Sequence, residues 1–282
     1  MPIPPAAVRA ACGQVDAVIR SDPRYAHTSA FRVEVDGEVA YAARYGGPAL
    51  ADVFSVTKTV LATVAGVAAR LGRLPPLDDP VDAYVWDACG VDLAATPSAG
   101  VTWRQLLTMT RGAEVEGPYE IDEVTALPSG WVRRVAEAPR REEPGRTFRY
   151  DNGAAHLLSA ALTGALGEGV DAVAERELFR PLGIEGADWL RDPDGIACGA
   201  GFLRLGAEHL AALGRLWLDG GRLRPDSCRS GPDSGPLRPD GGRSGPDNGP
   251  LRPDGGRSAP DRGRSGPDND PLTPDGGRSA PD

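Results

Sequence analysis

Ser55-Val56-Thr57-Lys58 sets a hydroxyl and an amine three residues apart, a spacing that puts both on one face of a single helical turn. An amine within reach of a serine Oγ can take its proton and turn a weak nucleophile into one able to attack a carbonyl. Lys58 is the only lysine among 31 basic residues, the rest being arginines. Arginine stays protonated in a protein, whereas a desolvated lysine can become a neutral base. The one basic side chain able to do this chemistry therefore stands where a base for Ser55 is needed. Its neighbours Val53, Phe54, Val60 and Leu61 are apolar and predict a partly buried amine. A capping serine followed by a surface lysine would spell the same tetrapeptide.

A second group lies at Tyr150 and Asn152, in a stretch from Pro144 that reads as a turn, a short extended run and a helix beginning at Gly153. The Tyr150 phenol could share or relay the proton between Ser55 and a leaving group, and the Asn152 amide could orient a substrate carbonyl. Taken alone, the same residues also read as a core tyrosine followed by an Asp/Asn helix cap. Other chemistries have less support. His27, His156 and His209 are scattered and need no role, and no G-x-S-x-G elbow surrounds Ser55, so a Ser-His-Asp triad is not indicated. Asp78-Asp79 and Glu142-Glu143 read as loop charges. Cys12, Cys89, Cys198 and Cys228 are far apart, with neither C-x-x-C spacing nor paired histidines, so they read as free thiols of a reducing compartment and imply no metal or disulfide framework.

The elements that must position these residues follow from patterning. Pro4 to Arg20 alternates at helical spacing and is broken by Ser21-Asp22-Pro23. Phe31, Val33 and Val35, then Val39, Tyr41 and Ala43, alternate around Asp36-Gly37, predicting a hairpin with a type I′ turn. Ser55 to Leu71 reads as a helix ended by Gly72, apolar enough all round to predict burial. Thr102-x-x-Gln105 predicts a capping box opening a short helix through Met109, and further helices are expected over 153–166, 169–179 and 207–218.

From Leu223 the character changes. Leu-Arg-Pro-Asp opens at 223, 237 and 251, and Leu-Thr-Pro-Asp at 272, in 60 residues holding 12 Gly and 12 Pro. So little apolar surface cannot offset the entropy of ordering the chain, so 223–282 is expected to be a disordered repeat tail and 1–222 the folded domain. The formal charge of -9 argues against a nucleic-acid partner and favours small molecules. The N-terminus lacks the basic and apolar regions of a secretory signal, and Val60 to Ala69 falls far short of the ~20 residues needed to cross a bilayer. The expectation is a cytoplasmic protein with no membrane partner; nothing in the sequence sets an oligomeric state.

Together, in this order and with Leu106-Leu-Thr-Met-Thr-Arg-Gly112 between them, the two groups resemble the penicillin-recognising serine hydrolase family, which includes class C β-lactamases, D-Ala-D-Ala carboxypeptidases and related esterases. Ser55 to Lys58 matches its SxxK element and Tyr150 to Asn152 its Y-x-N element. Gly201 to Ala211 is similar to its late helix, and the likeness covers roughly residues 5–226. It implies an α+β fold, an antiparallel sheet flanked by helices plus a helical subdomain at about 73–200. It also implies catalysis without a cofactor: Ser55 would form an acyl-enzyme with an ester, amide or β-lactam while Lys58 and Tyr150 share proton transfer and Asn152 binds substrate. The family's third element, Lys/His-Ser/Thr-Gly on a strand beside the site, has no counterpart in this sequence. Repeats stand where that strand and its neighbours would follow, which predicts an incomplete sheet, C-terminally truncated or replaced, and impaired activity. A catalytically inactive binding protein or a fragment of the family is the alternative.

Overall fold

The computed structural model describes residues 5–116 and 120–222. The expected disordered tail at 223–282 lies outside the described residues. The chain opens with helix α1 (Pro5–Ser21), whose Arg20 sits in the last turn and pairs with Asp16 one turn back. Strands β1 (Ala30–Val35) and β2 (Glu38–Arg44) then form the expected hairpin. Asp36 at φ 51° and Gly37 at φ 86° are both left-handed, as a type I′ turn requires. The register shifts between Val33 and Glu34, so a bulge interrupts an otherwise regular ladder. Among the described residues β1 and β2 make a two-stranded sheet.

A second sheet was not legible in the sequence. Its strands are β3 (Ala51–Asp52), β4 (Asp188–Trp189) and β5 (Leu203–Leu205), in the antiparallel order β3-β5-β4. Runs of two or three residues carry no alternation to read. This small sheet joins Ala51, just ahead of Ser55, to a segment about 150 residues later.

Helix α2 (Thr57–Arg70) follows a 3₁₀ turn at Phe54–Val56 and stops at Gly72, φ 67°. Its apolar composition does not mean burial on every side. Val60, Leu61, Val64, Ala65 and Ala68 are buried on one stripe, while Gly66 on the opposite side is exposed. The helical part comprises α3 (Asp82–Cys89), α4 (Trp103–Leu107), α5 (Ile121–Thr125), α6 (Trp131–Ala136), α7 (Asn152–Leu166) and α8 (Val170–Ala174), the last running on through a π-helical turn at Glu175–Phe179. The Thr102–Gln105 capping box is present at the start of α4, which ends at Leu107, two residues before the expected limit. Helix α9 (Ala207–Leu218) closes the described chain and packs on β1.

Helix α7 is the centre of this arrangement. Nearly all of it, from Gly153 to Leu162, is buried, and α2, α3, α4, α6 and α8 all pack on it. A helix apolar on all sides is stable only when surrounded. The α3 crossing is close because Gly164 has no side chain: a Cβ there would collide with the Tyr84 carbonyl. The architecture is α+β, small antiparallel sheets with helices around them. Among the described residues no single helix is long and apolar enough to cross a membrane.

Candidate active site

Ser55 is delivered by a strand that turns abruptly into a helix. Val53 N–H donates to Leu203 O at 2.9 Å, extending the β3–β5 pairing, and the Asp52 carboxylate accepts from Phe54 N–H at 2.6 Å. Phe54 then takes φ 48°, a left-handed conformation that costs a bulky residue strain. The sharp bend leaves Ser55 exposed in the 3₁₀ turn at the mouth of α2, ahead of the helix proper.

Three of the four residues singled out in the sequence converge there. Lys58 Nζ lies 3.2 Å from Ser55 Oγ and donates to the Ala200 carbonyl at 2.6 Å. Tyr150 OH donates to Ser55 Oγ at 2.6 Å, and the Lys58 ammonium stands 5.0 Å from the centre of the Tyr150 ring. Lys58 is half-buried, as its apolar flanks predicted. Tyr150 is 51% exposed, so it is not a core tyrosine. Burial pushes its phenol up, but the Ser55 hydrogen bond and the adjacent Lys58 outweigh that and hold it below the ordinary tyrosine value.

Asn152 takes no part in these contacts. It is the half-buried first residue of α7, and among the described residues no hydrogen bond joins its amide to Ser55, Lys58 or Tyr150. Between it and Tyr150, Asp151 caps α7 by accepting from Ala154 N–H at 2.8 Å. The same carboxylate receives a fork from Arg111, Nε at 2.6 Å and Nη2 at 3.2 Å, with both residues buried. Arg111 further donates to the Val135 carbonyl and Ser98 Oγ. The segment 106–112 thus braces the second group. Met109 O accepts from Arg149 N–H at 3.1 Å, Thr110 O from Gly145 N–H at 2.7 Å, and Arg111 grips Asp151, so Tyr150 is held from both sides.

Sequence reasoning missed Arg111 and Ala200 as parts of the site; the Asp/Asn cap it offered is Asp151, whose bond to Arg111 it did not foresee. The single charged residue of the 106–112 motif was the available signal for the first; nothing local marks a carbonyl 142 residues from Lys58. His156, read as needing no role, is fully buried against Asp192. His209 serves α9, its Nδ1 accepting from Gly206 N–H. Asp78 and Glu142 pair with Arg104 and Arg149, as loop charges would. Among the described residues no cluster of three or more His, Cys, Asp or Glu could hold a metal ion.

The chain matches the β-lactamase family over residues 16–218. A candidate 6-aminohexanoate-dimer hydrolase from Bacillus anthracis shares its fold, with TM-score 0.62 and 21% identity over 74% of this chain and 57% of that one. The D-alanine carboxypeptidase AmpC from Burkholderia cenocepacia superposes with TM-score 0.56 and 21% identity over 78% of this chain and 68% of that one. EstCE1, described as a hydrolase with promiscuous acyltransferase activity, gives TM-score 0.60 and 19% identity over 79% of this chain and 77% of that one. The chain therefore spans between just over half and about three quarters of these proteins' lengths. No curated protein matches it. With the family's match covering most of the chain, and the fold agreeing, the protein belongs to the β-lactamase family.

Proposed function

We propose that the chain is a serine hydrolase working through an acyl-enzyme, with Ser55 as nucleophile, Lys58 and Tyr150 as its proton-transfer partners and Asn152 as a substrate-orienting amide. The observation that carries this reading is the pair of hydrogen bonds converging on Ser55 Oγ, from Tyr150 at 2.6 Å and Lys58 at 3.2 Å. Substrates of the class would be esters, amides or β-lactams, in keeping with the carboxypeptidase and hydrolase relatives.

Ser55 Oγ attacks the carbonyl carbon while its proton passes to the Tyr150 oxygen, whose lowered pKa makes the phenolate accessible. In the resting arrangement the neutral phenol donates to Oγ; once ionised, it accepts from Oγ over the same contact. Lys58 remains a donor to Ala200 O, and its charge stabilises the phenolate before attack; the phenol formed at Tyr150 then holds the proton for the leaving group. The backbone N–H of Ser55 supplies one oxyanion donor. Collapse of the tetrahedral intermediate breaks the ester or amide bond, the proton goes to the leaving alcohol or amine, and water then releases the acid and regenerates Ser55. A fluorophosphonate probe tests the assignment: labelling that vanishes in Ser55→Ala supports it, and absence of labelling in a protein that melts cooperatively favours a family member that binds without turning over.

A further inference from the structure

Helix α7 carries a buried polar pair that the acyl-transfer reading does not use. His156, one turn in from Asn152, is fully buried, with Nε2 3.1 Å from Asp192 Oδ2. Asp192 is buried too, and its other oxygen accepts the N–H groups of Asp194 at 2.9 Å and Ile196 at 2.8 Å. One carboxylate thus folds a turn in the 190–200 segment and ties that turn to α7. The fastening continues along the segment. Ser159 Oγ on α7 donates to Ala197 O at 2.6 Å, and Trp189 Nε1 donates to Cys198 O at 2.9 Å. Gly199 lies so near α7 that a Cβ would collide with the Ala155 carbonyl. The next residue is Ala200, whose carbonyl accepts from Lys58.

We propose that His156 and Asp192 are positioning residues for Lys58: they fix the 190–200 segment on α7 so that the Ala200 carbonyl stays in register with the Lys58 amine. The inference rests on the reading of Ser55, Lys58 and Tyr150 as the reacting group. Under it, α7 is the common reference for the site. Its Asp151 cap places Tyr150, and its His156 places the acceptor that aims Lys58. Releasing the segment lets the carbonyl drift, and misplacement by about 1 Å is enough to cost about a hundredfold in rate. The titratable groups facing His156 are Asp192 and Cys198 of the same segment, and the Trp131 ring of α6 packs against the imidazole with centroids 5.9 Å apart.

The lone lysine makes the idea measurable. Full-length protein labelled with [13Cε]lysine gives a single side-chain signal, from Lys58. That signal and the hydrolysis of p-nitrophenyl acetate are compared in the unmodified protein, His156→Gln, His156→Leu and Asp192→Asn. His156→Gln can still donate to Asp192, and is expected to keep the Lys58 chemical shift and titration midpoint. His156→Leu is expected to move both and to lower kcat about tenfold to hundredfold with KM little changed. Asp192→Asn keeps an acceptor for the two backbone N–H groups and carries the same comparison if His156→Leu does not fold. An unmoved Lys58 signal in either folded variant overturns the proposal. Failure of both to melt cooperatively also overturns it, because the pair would then be a stability element. If the unmodified protein neither hydrolyses the ester nor takes a fluorophosphonate, the catalytic reading fails while the Lys58 signal still decides the positioning role.

Discussion

The Tyr150 hydroxyl reaches Ser55 Oγ at 2.6 Å across 95 residues of chain, and the helix that begins two residues after Tyr150 is the one on which α2, α3, α4, α6 and α8 pack. The site is therefore built on the best-buried element of the fold. Rigidity where alignment matters is what acyl transfer requires.

The first prediction concerns Tyr150 as proton acceptor. Its phenol lies below the ordinary tyrosine value, so the base form is reached as pH rises and ester hydrolysis should climb to a plateau below pH ~10. Tyr150→Phe should lower kcat about 10²–10⁴-fold. Replacing Lys58 with Met removes the charge that stabilises the phenolate and should displace the rising limb to higher pH. A pH–rate profile unmoved in Lys58→Met would rule out that role for the lysine.

A second prediction concerns Arg111 and Asp151, buried and bound by two hydrogen bonds. Removing either partner strands the other charge out of water, at a cost of about 3–5 kcal/mol. Arg111→Met should therefore lower the denaturant midpoint strongly, and Asp151→Asn should cost less because the amide oxygen can still cap Ala154 N–H. Small losses in both variants, each of which keeps the cap while breaking the ion pair, would show that the cap rather than the ion pair carries the stabilisation.

His156 gives a third, with a definite sign. Burial by itself would depress the imidazole, and the Asp192 hydrogen bond with the neighbouring Cys198 outweighs it, raising the value from 6.5 to about 9. A raised folded-state value contributes stability that is complete below pH 6.5 and is lost as pH climbs through about 9. The shift corresponds to roughly 3 kcal/mol. Melting temperature measured at pH ~6 and pH ~9.5, on either side of that window, should fall more in the unmodified protein than in His156→Gln, which has no proton to lose. Parallel curves would place the proton elsewhere.

Two helical glycines should behave oppositely. Gly164→Ala drives a methyl into the Tyr84 carbonyl at the α3 crossing and should destabilise by about 1–3 kcal/mol. Gly13→Ala, in α1 with open space around the added methyl, should stabilise by about 0.5–1 kcal/mol. Urea unfolding of the two variants decides it, and a stabilised Gly164→Ala would mean the helices part more easily than their packing suggests.

The local features were legible because each is written in neighbouring residues. The I′ hairpin follows from Asp36-Gly37 between alternating strands, the capping box from Thr102 and Gln105, and the limits of α7 and α9 from apolar runs with their stops. The Ser55–Lys58 contact follows from a spacing of three on one helical turn, and Tyr150 joined it through a motif. The strands of the small sheet are too short for a period to show, and α3, α5 and α6 were missed because their short, mixed sequences do not stand out from loop composition.

By itself the sequence determined which side chains could react: a single lysine, three residues after a serine, in a chain that otherwise uses arginine. Tertiary structure decided how they are aimed. Ala200 accepts from Lys58, Arg111 grips Asp151 and His156 meets Asp192 across separations of 142, 40 and 36 residues. Those pairings arise from packing around α7, where a buried polar group must find whatever partner the fold brings within reach, and no local pattern encodes which one that is.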